Sequence, residues 1–347
     1  MSAPDIRAVA LGGGHGLYAT LSALRRITDD VTAVVTVADD GGSSGRLRRE
    51  LGVLPPGDLR MALAALAAPD GGGGRWRELF QHRFGGTGAL AGHAVGNLVL
   101  AGLLEVLGDP VVVLDEVCRL LGVCGRVLPM AVEPLDIEAD VVGLEDEPEA
   151  ERRIRGQVAV ASTPGRVRRV RLLPARPRAC VEAVHAVAEA DLVVLGPGSW
   201  FTSVLPHLLV PELAAALAGT AARRIVVLNL APQPGETAGF SPEQHLHVLA
   251  EHAPPGFTVD AVLADTDAVP AAGVLTRSAA GLGARAYLDR VATGVGSDRH
   301  DPVALAAALG RVLAGSPRGG AGPGAGVRAA GPVGGPLVEW EEESRWP

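Results

Sequence analysis

Lysine is absent from this 347-residue sequence, so all 31 of its basic residues are arginine. Against 39 acidic residues this gives a net charge of −8, and no basic stripe is present to neutralise a nucleic-acid backbone. A nucleic-acid partner is therefore not expected. Aromatic residues make up only 3%, so Ala, Val and Leu must fill the core of a chain that is 48% hydrophobic. The three cysteines (Cys118, Cys124 and Cys180) are an odd set without metal-binding spacing, and they read as reduced core thiols. No apolar run approaches the roughly 18 residues of a membrane span. The start Met1-Ser2-Ala3-Pro4-Asp5 has no charged segment leading into an apolar stretch. A cytoplasmic protein without membrane insertion is expected.

What the sequence does have is glycine, placed where apolar runs stop. Residues 6–11 form a short apolar run ending in three glycines, and helical spacing follows over residues 17–27. Residues 31–37 are a β-branched run that again ends in a glycine-rich loop, and residues 192–195, 225–230 and 259–263 read as further strands. Continuous apolar strands alternating with helices predict an α/β, Rossmann-like fold: a mostly parallel sheet with helices on both faces. Helices are expected at residues 59–68 with Asp58 as N-cap, at 98–107, at 241–251 behind a capping box, and at 302–313 behind Asp301-Pro302. Residues 133–173 are more polar and read as short antiparallel strands or an excursion. From about Gly315 onward Gly, Pro and Ala dominate, with Glu339-Trp340-Glu341-Glu342-Glu343 near the end. This divides the chain into a nucleotide-binding domain, residues 1–314, and a disordered acidic tail, residues 315–347, in which Trp340 offers a protein partner a short motif.

Six loops carry candidate chemistry. Gly12-Gly13-Gly14-His15-Gly16 joins a first strand to a first helix, where glycines admit an anion and the helix start offers unpaired N–H groups. The Lys-Ser/Thr pair of a P-loop and the third glycine of the dinucleotide fingerprint are missing, and a ligand-free tight turn is the alternative. Asp39 and Asp40 follow the second strand, where adjacent carboxylates suit Mg²⁺ beside a diphosphate or accept hydroxyl hydrogen bonds. Ser43, Ser44 and Arg46 add two hydroxyls and a guanidinium; turn capping and a surface charge are the alternatives. Asp58 reads as a helix cap, whereas Arg60 is a cation in a first helical turn, a position that an anionic ligand would favour. His93 and Asn97 stand four apart on one helix face, toward a ligand or within the core. Gly196-Pro197-Gly198-Ser199 is a further strand-end cradle, and Asn229 ends another strand before Pro232-Gln233-Pro234-Gly235-Glu236-Thr237. Loops of this type at strand ends converge on one rim of the sheet.

The runs Val34 to Arg48 and Pro55 to Arg60, followed by Gly92-His93, Gly96-Asn97-Leu98, Gly196 to Ser199 and Gln233 to Thr237, together resemble the YvcK-type gluconeogenesis factor family over about residues 6–313. The resemblance implies a fold related to 2-phospho-L-lactate transferase and a cytosolic bacterial protein tied to gluconeogenic growth and cell shape. It implies binding of UDP-N-acetylglucosamine with no established reaction, and a contact to the nucleotide sugar from Arg299. Departures are His15 where many relatives have Thr, Met61 for Asn, Trp200 for a smaller residue, and Asp265 at a strand end where relatives carry Asn. A nucleotide-sugar sensor is the expected role, with Mg²⁺ as a conceivable cofactor. The alternatives are a Mg²⁺-dependent transferase acting on a nucleotide-diphosphate-linked donor and an interaction platform. Self-association is left open.

Overall fold

Strands that are apolar on both faces need helices on both sides, and this requirement organises the chain. The computed structural model describes residues 6–68, 73–144 and 150–315. Its ten strands are β1 (Ala8–Gly12), β2 (Val31–Val35), β3 (Arg126–Pro129), β4 (Asp136–Val142), β5 (Arg152–Arg155), β6 (Arg166–Leu173), β7 (Leu192–Leu195), β8 (Arg223–Val227), β9 (Ala261–Asp265) and β10 (Arg285–Asp289). Seven of them form one parallel sheet in the order β10-β9-β8-β7-β1-β2-β3. The expected α/β fold is present. The strands β5-β4-β6 form a separate antiparallel sheet, within the region expected to hold short antiparallel strands.

The chain builds outward from β1 through β2 to β3, then returns to the other side of β1 as β7. Strand order reverses between β1 and β7, and a parallel sheet opens a crevice at such a point, beyond the carboxyl ends of its strands. Helix Gly14–Leu24 leaves β1 and packs between helices Pro56–Leu66 and Pro302–Ala314. The core is Ala, Val and Leu as composition requires, with Phe80, Trp200 and Phe201 as its large fully buried aromatics. Trp200 is an anchor there: its Nε1 donates to the His245 carbonyl at 3.0 Å and its ring meets the His245 ring edge-on.

One local expectation changes. Helix Pro56–Leu66 starts at a proline after Pro55, so Asp58 is a half-buried residue inside the first turn and not the cap. Asp301 does cap its helix, accepting from the Val303 and Ala304 N–H groups. Cys118, Cys124 and Cys180 are free thiols. Among the described residues no helix is long and apolar enough to cross a membrane. The acidic tail with Trp340 lies outside the described residues, apart from Gly315.

Candidate functional site

The first and fifth glycine loops meet in the β1–β7 crevice. A Cβ on Gly16 would lie 2.1 Å from the Pro197 carbonyl oxygen and 2.7 Å from Gly198 Cα, so only glycine lets the two backbones touch. Gly198 is then clamped from the next strand: its N–H donates to Asn229 Oδ1 and its carbonyl accepts from Asn229 Nδ2, both at 2.9 Å. Asn229 thus spends both ends of its amide on shaping the loop. The Ser199 side chain makes no capping bond and accepts weakly from Gln233 Nε2 at 3.4 Å.

Two cavities share this crevice. The larger, about 1090 Å³, runs from His15, Gly16 and Tyr18 past Gly198, Ser199 and Asn229 to Arg299. The smaller, about 230 Å³, lies under Gly13 and Gly14 and reaches Asp39 and Asp58. His15, Gly16, Gly198, Ser199 and Gln233 line both, so the two cavities share a wall at the glycine loops.

Asp39 and Asp58 give the smaller cavity its chemistry. Burial raises the Asp39 carboxyl above its ordinary range, against the Gly41 N–H and the Ser44 hydroxyl. Burial and then the charge of Asp39 push Asp58 up to about 7, partly offset by the Gly14 N–H. Two carboxyls beside a helix start would repel a diphosphate placed there, and a divalent cation between them removes that conflict. No group of three His, Cys, Asp or Glu among the described residues is arranged to hold a metal. Asp39 and Asp58 would offer Mg²⁺ two carboxylates, with phosphate oxygens and water left to complete its shell.

The far wall is a loop folded back on itself. Ala292 bridges to His300, the Thr293 N–H donates to the Arg299 carbonyl at 2.9 Å, and Thr293, Asp298, Arg299 and His300 all line the larger cavity. Asp265 organises this loop, accepting from the N–H groups of Asp267, Val291 and Ala292 at 2.8 to 3.0 Å. Those donors hold its carboxyl below the usual range despite burial. Asp265 lines neither cavity.

With the geometry in place, the chain can be compared with known proteins. Residues 8–294 match the family described as 2-phospho-L-lactate transferase CofD. The chain belongs to that family. It is 40% identical over 259 residues to the gluconeogenesis factor of Bacillus subtilis, covering 75% of this chain and 78% of that one. A Mycobacterium tuberculosis protein carrying the same name provisionally is 65% identical over 309 residues, 88% of this chain and 90% of that protein. A crystal structure of a UPF0052 family member from Bacillus halodurans superposes with a TM-score of 0.78 at 33% identity, covering 89% of this chain and 99% of that one.

The crevice of this CofD family member gathers Gly13, Gly14, His15, Gly16, Asp39, Asp58, Gly198, Ser199, Asn229 and Arg299 from the expected site. Gly12 and Gly196 shape the strand ends behind it. Asp40 does not pair with Asp39: its carboxylate accepts from the N–H groups of Gln157 and Val158 and starts the short helix Gln157–Ala161. Asp58 takes the place expected of Asp40. Ser44 Oγ accepts from the Gly57 N–H at 3.0 Å, bracing the Asp39 and Asp58 loops against each other. Ser43, Arg46, Arg60, His93 and Asn97 form a second cluster that lines neither cavity.

Several lining residues were not singled out from the sequence, among them Tyr18, Thr36, Gln157 and Thr202, and Gln233 and Glu236 were read only as part of the sixth loop. Glu236 is 2% exposed and neither of its oxygens has a hydrogen-bond partner of good geometry. Burial pushes it up to about 7, against the Thr202 hydroxyl and the N–H groups of Trp200, Phe201 and Thr202. A carboxyl thus already faces the helix start that follows Gly198-Ser199. The signal lay in the Gln233-Pro234-Gly235-Glu236-Thr237 run, whose Gly235 sits 2.3 Å (measured to a Cβ placed on it) from the Ala161 carbonyl oxygen.

Proposed function

We propose that this protein binds a nucleotide-diphosphate sugar, UDP-N-acetylglucosamine, in the β1–β7 crevice, as a regulator tied to carbon metabolism and cell shape. The observation that carries the reading is the pair of adjoining cavities that share Gly16 and Gly198 as lining, with Arg299 on the far wall. In this reading the N–H groups at the start of helix Gly14–Leu24 hold the diphosphate and Arg299 meets it from the other side. Tyr18 and the Leu230-Ala231-Pro232 stretch supply apolar surface for the base. Mg²⁺, held by Asp39 and Asp58, would neutralise the phosphate charge. Calorimetry with UDP-N-acetylglucosamine, with and without Mg²⁺, tests the proposal: saturable heat supports it, and folded protein giving none at about 1 mM ligand rejects it.

A second reading is favoured by the Asp39–Asp58 pair. Group transfer from a nucleotide-diphosphate-linked donor needs mainly positioning and charge neutralisation, which such a pair supplies with Mg²⁺. Tyr18 is the sole Phe, Tyr or Trp lining the larger cavity, which leaves little stacking surface for a flat aromatic acceptor. Mg²⁺-dependent consumption of a donor from a nucleotide-diphosphate panel would establish transfer, and an unchanged panel would leave the binding role alone.

A further inference from the structure

Arginine presents five N–H donors and loses stability when buried without acceptors for them. Arg60 is 3% exposed, yet its one hydrogen bond runs from Nε to Asn97 Oδ1 at 2.9 Å. Its terminal nitrogens have no hydrogen-bond partner among the described residues. Gly96 makes room for the side chain, since a Cβ there would lie 3.0 Å from Arg60 Cδ.

Two further arginines are held on the neighbouring loop. Arg46 Nη2 donates to the Ala91 carbonyl at 2.7 Å, and Arg83 Nη1 donates to the Gly92 carbonyl at 2.9 Å. Each is thereby fixed to the loop before helix Val95–Leu107 with donors to spare. His93, 5% exposed, lies among them, its Nδ1 2.9 Å from Ser43 Oγ, which also accepts from Asn97 Nδ2 at 2.9 Å. The His93 Nε2 has no partner among the described residues. The charge of Arg83 bears on both Arg60 and His93, and the charge of Arg46 on His93.

Elsewhere in the chain arginines find carboxylates: Arg48 and Arg155 meet Asp136, Arg126 meets Asp115, and Arg153 and Arg171 meet Asp140. Arg46, Arg60 and Arg83 make no ion pair among the described residues. Glu50 and Asp58 act on the cluster only at longer range. Guanidinium groups near one another without a paired carboxylate repel, and a bound oxyanion removes that repulsion while accepting forked hydrogen bonds. The cluster lines neither nucleotide cavity, although Arg60 stands two residues from Asp58 on the same helix.

We propose that Arg46, Arg60, Arg83 and His93 form a second anion site, separate from the nucleotide cavities, that takes the phosphate group of a small molecule. The site does not depend on the nucleotide-sugar reading. Its test is calorimetry with inorganic phosphate on the full chain, without nucleotide and again at saturating UDP-N-acetylglucosamine. Saturable binding is expected in both, weakened at least about tenfold in Arg83→Gln and independently in Arg46→Gln, with melting curves confirming that both variants fold. If the nucleotide sugar itself gives no heat, the nucleotide-free titration still decides. The proposal is overturned if phosphate gives no saturable heat up to about 10 mM. It is equally overturned if both variants titrate like the parent, or if the nucleotide displaces phosphate.

Discussion

Replacing Gly16 by alanine tests the contact on which the crevice rests. The new Cβ would sit 2.1 Å from the Pro197 carbonyl oxygen and 2.5 Å from its carbon, whereas atoms at rest stand about 3.5 Å apart. The two loops must therefore separate by more than about 1 Å. Little slack is available, because β1 and β7 pair in register from Ala8↔Leu192 to Leu11↔Leu195 and the Gly196 N–H donates to the Leu11 carbonyl at 3.2 Å. Overpacking of this kind costs about 1 to 3 kcal/mol, and alanine recovers at most about 1 kcal/mol of helix propensity. The net loss, about 2 kcal/mol at the upper end, corresponds to melting roughly 4 to 8 °C lower. Gly102→Ala is the internal control: Gly102 lies within helix Val95–Leu107 with nothing within 4 Å of a Cβ, so it gains the propensity without the clash. Differential scanning calorimetry of the two variants gives the answer, and UDP-N-acetylglucosamine binding should fall only in Gly16→Ala. If Gly16→Ala melts with or above Gly102→Ala and binds normally, the loops do not meet as described.

The other predictions concern charge. Asp58 has a folded pKa of about 7 against an ordinary 3.8, so ionising it costs stability as pH rises between those values, up to about 4 kcal/mol. Asp58→Asn should melt well above the parent at about pH 8 and close to it at about pH 4, and Mg²⁺ should raise the melting temperature of the parent alone. Asp265 has the opposite sign: its depressed pKa contributes stability that is present at neutral pH and lost as pH falls below 3.8. Asp265→Asn should cost about 1 to 3 kcal/mol at neutral pH, with faster proteolysis in the 290–300 loop, and an unchanged cleavage rate would contradict its organising role. Arg299→Gln, on an exposed side chain, should weaken nucleotide-sugar binding about tenfold while leaving the melting temperature within about 1 °C.

Much of the fold was legible because central parallel strands advertise themselves as uninterrupted apolar runs. The edges were not. β10 carries Arg285 and Asp289 and is half exposed, and β3 is four residues starting at Arg126, so neither shows the continuous pattern of β1 or β7. The crevice followed from glycine loops at strand ends, a local signal. Its carboxylate pair did not, for a geometric reason. Consecutive residues leaving a strand project in different directions, so Asp39 faces the cavity while Asp40 turns to the amides of Gln157 and Val158. The partner of Asp39 comes instead from the first turn of helix Pro56–Leu66, and its role was hidden behind an ordinary capping motif.

That substitution changes what the first glycine loop has to be. A Cβ on Gly13 would lie 2.3 Å from Asp58 Oδ2, so the loop that offers N–H groups to an anion also admits a carboxyl against its backbone. A bare diphosphate and an ionised Asp58 cannot both occupy that corner cheaply. Either the carboxyl holds its proton, which its raised pKa permits near neutral pH, or a divalent cation stands between the two charges. These alternatives separate by experiment. If the proton suffices, UDP-N-acetylglucosamine binding without metal weakens as pH rises through about 7 and Asp58→Asn abolishes that dependence. If the cation is needed, affinity tracks Mg²⁺ at every pH, and the same substitution lowers the metal requirement along with the metal affinity. Binding that ignores both pH and Mg²⁺ would place the diphosphate away from Gly13 and assign it to Gly198, Ser199 and Arg299 alone.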